Sequence, residues 1–256
     1  MDYVDIAKAR EQPGLRLVMN KGVPGPWSQS AKYVFEVKSI SYVPVAQLGG
    51  TPNDELHEWT GHRNAPIAMF DDEPARVGWH EIIALAERLQ PEPALLPMDS
   101  ASRAEVFGIV TEIASEDGLA WQRRLQLIDG LNASPDERVQ RGGATLAERY
   151  GYSAQALARA DGRAADIMHM LAAKLNAQNA AGSDYFVGNG FTAADLYWAC
   201  FSQLIAPLDE NVNRMPGLIR DLYTVRDSKV AEAVDPILMT HRDRMYQNHL
   251  SLPLDF

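Results

Sequence analysis

The sequence is poor in cysteine and in positive charge, and both shortages exclude classes of function. Cys200 is the single cysteine in 256 residues, so the chain can form neither an intramolecular disulfide nor a metal site built from several cysteines. Lysine and arginine total 24 against 34 aspartates and glutamates, which gives a formal net charge of −10. A nucleic-acid binder needs a basic face, so this balance predicts no nucleic-acid partner.

Long apolar runs and metal-ligand spacings are missing as well. No apolar stretch approaches the roughly 18–20 residues that a membrane span needs, and the first residues lack the basic-then-apolar pattern of a secretory leader. We therefore expect a cytoplasmic protein with no membrane partner. Histidines such as His241 and His249 have no carboxylate or cysteine partner at the spacing of a zinc site, so no metal is expected. The motifs of phosphate-binding loops and nucleophile elbows do not occur either.

What remains is an ordinary globular composition, with 46% hydrophobic and 23% charged residues. The length suffices for one large domain or two small ones with real cores. The first part of the chain alternates between strand and helix patterns. We predict strands at 15–19, 42–45 and 66–70, a hairpin partner at 75–79, and helices at 27–38, from about 53, and at 82–89.

A change of pattern follows this mixed segment. Three prolines indicate an interdomain linker: Pro91, Pro93 and Pro97. Beyond them apolar residues recur at three- and four-residue spacing, which is typical of helices. The sequence therefore predicts an α/β domain at 1–92, a linker at 93–99 and an all-helical domain at 100–256.

Within the helical part, one helix start carries several consistent signals. Thr192 is a good N-cap, and Asp195 can reach back to its N–H as a capping box. Phe191 and Leu196 flank this pair at the spacing of a hydrophobic staple. These residues predict a core helix rather than a reactive site. Further helices are predicted at 103–119, 120–131 and 144–179, the last with a break near Gly151 or Gly162.

The stretch GVPGPWSQSAKY at 22–33 predicts a helix N-terminus directly after the first strand. Pro26 fits the first helical turn, where its missing N–H costs nothing. The free N–H groups of that turn and the helix dipole would attract an anion. Gly25 lies at the tip of the helix and has no side chain to obstruct a close approach to its backbone.

Three stretches together resemble the cytosolic glutathione transferase superfamily. GPWSQSAKYVFEVKSISY (25–42) is similar to the active-site helix and second strand, Asn64-Ala65-Pro66-Ile67 to a loop ending in a cis-proline, and DYFVGNGFTAADLYWA (184–199) to the buried core helix. The resemblance implies an N-terminal thioredoxin-like domain, a C-terminal helical domain, a homodimer, and glutathione as co-substrate. In this family a glutathione thiolate attacks an electrophile held in an apolar pocket of the helical domain.

Carried over residue by residue, the resemblance implies a partly altered site. Ala65 before Pro66 retains the backbone contact to the cysteinyl part of glutathione. Glu81 falls on the glutamate of the Glu-Ser pair that takes the γ-glutamyl end, but Ile82 replaces the serine. Gly25 stands where many classes carry the activating cysteine or serine.

The candidate site residues follow from this comparison. Ser28, three residues past Gly25, is the candidate catalytic residue, because its hydroxyl can donate to a thiolate. The predicted glutathione-binding residues are Gly25, Trp27, Ser28, Asn64, Ala65, Pro66, Glu81 and Ile82. Trp27 is expected either to wall the electrophile pocket or to donate its indole N–H. The predicted substrate pocket comprises Trp27, Trp121 and Arg124, which suit an aromatic or acidic electrophile.

Three functions fit these residues. The first is a glutathione transferase-like enzyme that directs the thiolate to a hydrophobic electrophile. The second is a binding or scaffold protein of the same fold that has lost catalysis, which Gly25 and Ile82 favour. The third is a glutathione-dependent enzyme that cleaves ether or carbon–halogen bonds in aromatic compounds. The attacking step is the same in the first and third, so the sequence does not separate them.

Overall fold

In the computed structural model, which describes residues 1–226 and 228–256, the N-terminal part of the chain folds around a three-stranded sheet. The central strand β1 (Leu15–Asn20) runs parallel to β2 (Val43–Gln47) and antiparallel to β3 (Ile67–Phe70). Helix α2 (Pro26–Val37) makes the crossover between the two parallel strands. It therefore begins just beyond the carboxyl end of β1, as the sequence pattern predicts.

The remaining N-terminal helices are α1 (Ile6–Arg10), α3 (Asp54–Thr60) and α4 (Trp79–Leu89). The predicted hairpin partner at 75–79 is present only as an isolated antiparallel bridge between Arg76 and Ala68, and it does not extend to a strand because Trp79 already begins α4. Glu81 accepts the backbone N–H of Gly78 and so starts this helix one turn earlier than the apolar pattern indicates.

The rest of the described chain is helical. Its α-helices are α5 (Ser100–Ala114), α6 (Leu119–Asn132), α7 (Glu137–Arg149), α8 (Ala154–Ala180), α9 (Ala193–Phe201), α10 (Gly217–Tyr223), α11 (Lys229–Glu232) and α12 (Pro236–Asn248). The predicted break near Gly151 is present, since this residue has a φ of +65° between α7 and α8, whereas Gly162 lies inside α8. The expected α/β part followed by an all-helical part is confirmed.

Helix α9 lies at the centre of the hydrophobic core, and all nine of its residues are buried. Its predicted start is confirmed: the backbone N–H of Thr192 donates to Asp195 at 2.8 Å. The same carboxylate accepts the N–H of Phe186 and pairs with the buried His241 of α12, both at 2.9 Å. One buried aspartate thus links three segments of the helical part.

Helix α2 is joined to the segment after α4 by a buried lysine. Lys38 Nζ forms a 2.7 Å ion pair with Glu87 of α4 and donates to the carbonyls of Gln90 and Pro93. These bonds fix α2 against α4 and thereby orient its N-terminus. None of the described helices is long and apolar enough to cross a membrane.

Candidate functional site

A cleft opens at the N-terminus of α2, between the sheet and helices α6 and α7. It consists of two adjoining cavities of about 140 and 190 Å³. The residues that line both of them are Asn20, Gly25, Trp27, Arg124, Leu146 and Tyr150. The helix end singled out in the sequence is therefore where the two cavities meet.

The smaller cavity, on the side of the sheet, is the more polar of the two. Besides the shared residues it is lined by Gln47, Gly49, Gly50, Asn64, Ala65 and Arg149. The Ala65–Pro66 peptide bond is cis, as the resemblance implies. Arg149 Nη1, at the end of α7, donates to Asn64 Oδ1 at 2.8 Å. This contact joins α7 to the cis-proline loop and covers one side of the cavity.

The larger cavity, on the side of the helices, is predominantly apolar. Its additional residues are Val23, Pro26, Leu127, Leu204 and Tyr223. The cleft therefore combines a polar compartment and an apolar compartment around one helix N-terminus.

Gly25 is the N-cap of α2, and its side-chain-free backbone leaves the helix end open toward the cleft. Its φ of −75° is accessible to any residue, so backbone strain does not demand glycine here. A Cβ at this position would lie 3.1 Å from Asn20 Nδ2, a tight contact that requires the Asn20 amide to move by a few tenths of an ångström. Gly25 therefore allows the amide of Asn20 to approach the helix end.

Asn20 lines the cleft and is not among the site residues that the sequence predicts. It is the last residue of β1, it lines both cavities, and no described residue accepts a hydrogen bond from its Nδ2. The sequence contains a signal for it, because Asn20 ends a strand whose other residues, apart from Arg16, are apolar, and α2 follows directly.

Ser28, the predicted catalytic residue, lies behind this surface. It is 2% exposed and belongs to neither cavity wall. Its Oγ accepts the backbone N–H of Asn20 at 3.1 Å. The hydroxyl therefore fixes Asn20 relative to α2, and the geometry assigns the cleft-facing position to Asn20.

Trp27 walls the cleft, as one of its two predicted roles requires. Its indole N–H donates to the carbonyl of Ala114 at 3.1 Å, and its ring packs edge-on against Phe201 with 5.0 Å between centroids. The predicted alternative, donation of this N–H to a ligand, is wrong because the carbonyl already accepts it. Only the face of the ring is turned to the cleft.

Arg124 lies on that face. The centre of its guanidinium is 3.8 Å from the centroid of the Trp27 ring and 4.2 Å from that of Tyr150. Trp121 stands 5.3 Å from the guanidinium and packs edge-on against Tyr150. It lines a neighbouring depression rather than the cleft, so its prediction as a pocket residue is corrected to a supporting position.

Glu81 and Ile82, the residues predicted to contact the γ-glutamyl end of glutathione, do not line the cleft. Glu81 Oε2 accepts the backbone N–H groups of Gly78 and Val77, at 2.9 and 3.2 Å, so the carboxylate caps its own helix. These bonds lower the pKa of Glu81 below its usual 4.5. Ile82 is fully buried and its N–H donates to the Gly78 carbonyl, so it presents no group to a ligand. The prediction of Ile82 as a binding residue fails because α4 begins at Trp79.

A larger groove of about 600 Å³ lies between α5 and α8, and four of the five charged residues that line it form ion pairs with each other. Arg163 pairs with Glu112 at 2.6 Å, and Lys174 pairs with Glu105. The described residues contain no group of three or more side chains suited to hold a metal ion. The cleft at α2 is therefore the candidate site.

Comparisons with known proteins agree with this fold. Residues 135–223 match the family described as "Glutathione S-transferase, C-terminal domain". No curated protein matches the chain. Among solved structures, glutathione transferase Omega 3C from Trametes versicolor is similar at 15% identity and a TM-score of 0.59, over 96% of this chain and 90% of that one.

Two further solved structures are similar. A glutathione S-transferase from Methylobacillus flagellatus KT, determined with glutathione bound, shares 13% identity over 89% of this chain and 98% of that one, with a TM-score of 0.57. The β-etherase LigF from Sphingobium sp. strain SYK-6 shares 16% identity over 90% and 99%, with a TM-score of 0.55. The C-terminal domain match and the shared fold of the whole chain together support the glutathione transferase superfamily that the sequence resembles.

Proposed function

We propose that the chain binds glutathione in the polar cavity and directs its thiolate to an aromatic electrophile in the apolar cavity. The observation that carries this proposal is the meeting of the two cavities at the open N-terminus of α2, at Gly25. The cis-proline loop supports it, because Ala65 lines the polar cavity. The transferase from Methylobacillus flagellatus KT, solved with glutathione, supports the choice of ligand. The proposal requires no metal.

The proposed chemistry needs a stabilised thiolate. A helix N-terminus and a hydrogen-bond donor both favour the charged form of a thiol and lower its pKa. The N-terminus of α2 and the Nδ2 of Asn20 supply these two features, although the N–H of Gly25 itself is already donated to the carbonyl of Val23 at 2.7 Å. In a substitution the thiolate sulfur forms a bond to the electrophilic carbon, and the bond to the leaving group breaks. The leaving group departs with the electron pair, and the thiol proton goes to solvent.

Asn20 is assigned the direct contact with sulfur, and Ser28 is assigned the positioning of Asn20. The 3.1 Å bond from the N–H of Asn20 to Ser28 Oγ supports this division. Ala65, Asn64 and Gly25 are assigned to the cysteinyl part of glutathione. Pro66 holds the loop in its cis form rather than contacting the ligand.

Replacing Asn20 tests the proposal directly. Asn20→Ala should lower kcat for conjugation of 1-chloro-2,4-dinitrobenzene by about 10- to 150-fold, because a hydrogen bond to a charged group contributes about 1.5–3 kcal/mol. The pH at which the rate is half-maximal should rise, since the thiol loses a contact that favours ionisation. The glutathione Kd, measured by calorimetry at pH 6 where the thiol is protonated, should change little.

Ser28→Ala is the matched control, because it removes a buried hydroxyl that contacts Asn20 rather than the ligand. We expect a smaller loss of kcat and a smaller shift of the pH profile. The absence of glutathione binding at millimolar concentration would refute the proposed ligand. An Asn20→Ala variant with an unchanged pH profile would refute the assigned activation.

The second candidate, a binding protein without catalysis, is favoured by Glu81. Its carboxylate already occupies the N–H groups of Gly78 and Val77 at the start of α4. The resemblance implies that the γ-glutamyl end of glutathione contacts the start of this helix, where Glu81 already accepts these two N–H groups. Glutathione binding without turnover of any electrophile would favour this candidate.

Cleavage of an aromatic ether or halide is a variant of the first proposal. The β-etherase from Sphingobium sp. strain SYK-6 supports it through the shared fold. The attack is the same, and only the leaving group differs. We also propose a cytoplasmic homodimer, as the resemblance implies, and sedimentation analysis would measure its mass.

A further inference from the structure

We propose that the electrophile carries a carboxylate and that Arg124 binds it. The inference names the substrate class of the apolar cavity and rests on the proposed function for the reaction, although not for the binding itself. Three observations carry it: a guanidinium without a partner among the described residues, a cleft that no described acidic residue lines, and the size and lining of the apolar cavity.

The guanidinium of Arg124 is a cation without an anion among the described residues. It is half-buried and stacked between Trp27 and Tyr150, and it makes no hydrogen bond or ion pair with any described side chain or backbone group. Burial lowers its pKa, and only tyrosine side chains oppose this effect. A guanidinium nevertheless stays protonated in proteins. The positive charge is therefore held in the cleft wall by aromatic faces alone.

The neighbouring Arg123 provides an internal comparison. Its Nε donates to the carbonyl of Leu204 at 2.8 Å and its Nη2 to that of Leu222 at 3.0 Å. Arg123 thus uses its donors to hold the helical part together, which is a structural role. Arg124, one position along α6, lines the cleft and donates to none of the residues that the structure describes.

The cleft carries positive charge, whereas the chain as a whole is negatively charged. The chain has a formal net charge of −10, yet no described aspartate or glutamate lines either cavity. The charged residues that line the cavities are Arg124 and Arg149, and Arg149 already donates a hydrogen bond to Asn64. Low-dielectric walls of one sign concentrate ligands of the opposite sign. The cleft therefore selects an anion.

The apolar cavity limits what else that anion contains. Leu127, Leu146 and Leu204 line it, and its volume of about 190 Å³ is roughly six times the share of one water molecule in the liquid. A single aromatic ring with a carboxylate matches both properties. The ring would pack among the leucines while the carboxylate pairs with Arg124, a geometry that guanidinium groups favour.

A pair of electrophiles that differ only in the carboxylate tests the inference. The probes are 4-chloro-3,5-dinitrobenzoate and 1-chloro-2,6-dinitrobenzene, each with glutathione as nucleophile. Arg124→Met keeps the length and apolar stem of the side chain but removes the charge. We expect the ratio of kcat/KM between acid and neutral probe to fall about 10- to 150-fold, the value of one charged hydrogen bond. Arg149→Met, the matched control at the other cation, should leave this ratio unchanged.

A binding measurement without glutathione separates this inference from the proposed function. Calorimetry should show that 3,5-dinitrobenzoate binds more tightly than 3,5-dinitrobenzamide, and that Arg124→Met removes the difference. Stronger salt should weaken only the acid. Acid binding without glutathione binding would support the inference and refute the proposed function. Equal binding of acid and amide, or an unchanged ratio in Arg124→Met, would overturn the inference.

Discussion

The carboxylate of Glu81 stabilises the start of α4 through the N–H groups of Gly78 and Val77. Because these groups favour the charged form, the pKa of Glu81 lies below its usual 4.5 in the folded protein. A lowered folded-state pKa means stabilisation that is complete above the ordinary value. It is lost as the pH falls through the lowered value. The capping interaction is therefore an acid-sensitive element of stability.

Glu81→Ala should destabilise the protein by about 0.5–2 kcal/mol at pH 7, the usual cost of losing a helix cap. The difference from wild type should shrink as the pH falls below about 4, because the Glu81 carboxylate of the wild type then becomes protonated and loses the capping interaction. Denaturant unfolding at several pH values measures both effects. Glu81→Gln keeps an acceptor without the charge and should show a smaller loss with less pH dependence. A constant difference between wild type and Glu81→Ala across this range would contradict the assignment.

At the scale of elements, α7 and α9 represent opposite kinds of helix. In α7 only Gly143 is buried, and the contacts of this helix reach the cleft through Leu146 and reach the sheet part through Arg149. In α9 every residue is buried. Local stability follows buried apolar contact. The helix that covers the cleft is thus weakly anchored, whereas the helix at the core is strongly anchored.

Hydrogen exchange should therefore separate the two helices. We expect the amides of α7 to exchange through local opening at low free energy, and those of α9 only through global unfolding. Exchange measured by mass spectrometry on peptides from each helix gives the comparison within one sample. Equal protection of α7 and α9 would show that α7 is part of the cooperative core.

At the scale of the whole molecule, Cys200 reports on the integrity of the core. It is fully buried in α9, and burial raises the pKa of its thiol well above 9.0. This burial is typical of a structural rather than a reactive thiol. A protonated, inaccessible thiol is a poor nucleophile.

The native protein should therefore resist labelling by a disulfide reagent at pH 8, and full labelling should require denaturant. Since the chain has one cysteine, the labelling rate then measures the unfolding of the core without further mutation. Glutathione-free buffer serves as the control against exchange with added thiol. Rapid stoichiometric labelling in native buffer would contradict the described burial.

Much of the fold follows from local patterns, but the site depends on tertiary placement. Interactions between residues close in sequence determine the strand at 15–19, the helix that begins at Pro26 and the capping box at Asp195. The sequence therefore predicts these elements. The start of α4 was displaced because Glu81 caps a turn that has little apolar periodicity. Asn20 and Arg124 come from distant segments. Only the tertiary structure shows that Arg124 lies on the Trp27 ring without a described hydrogen-bond partner, whereas Arg123 donates to the carbonyls of Leu204 and Leu222.

The shared wall between the two cavities has a thermodynamic consequence. Trp27, Arg124 and Tyr150 line both compartments, so a ligand that orders these side chains in one cavity prepares the other. The second ligand then meets a lower entropic cost, and coupling of this kind is reciprocal. Each ligand changes the affinity of the other by the same factor. Order of addition would alter the rates of assembly but not the stability of the ternary complex, so the cleft acts as one cooperative unit rather than two independent pockets.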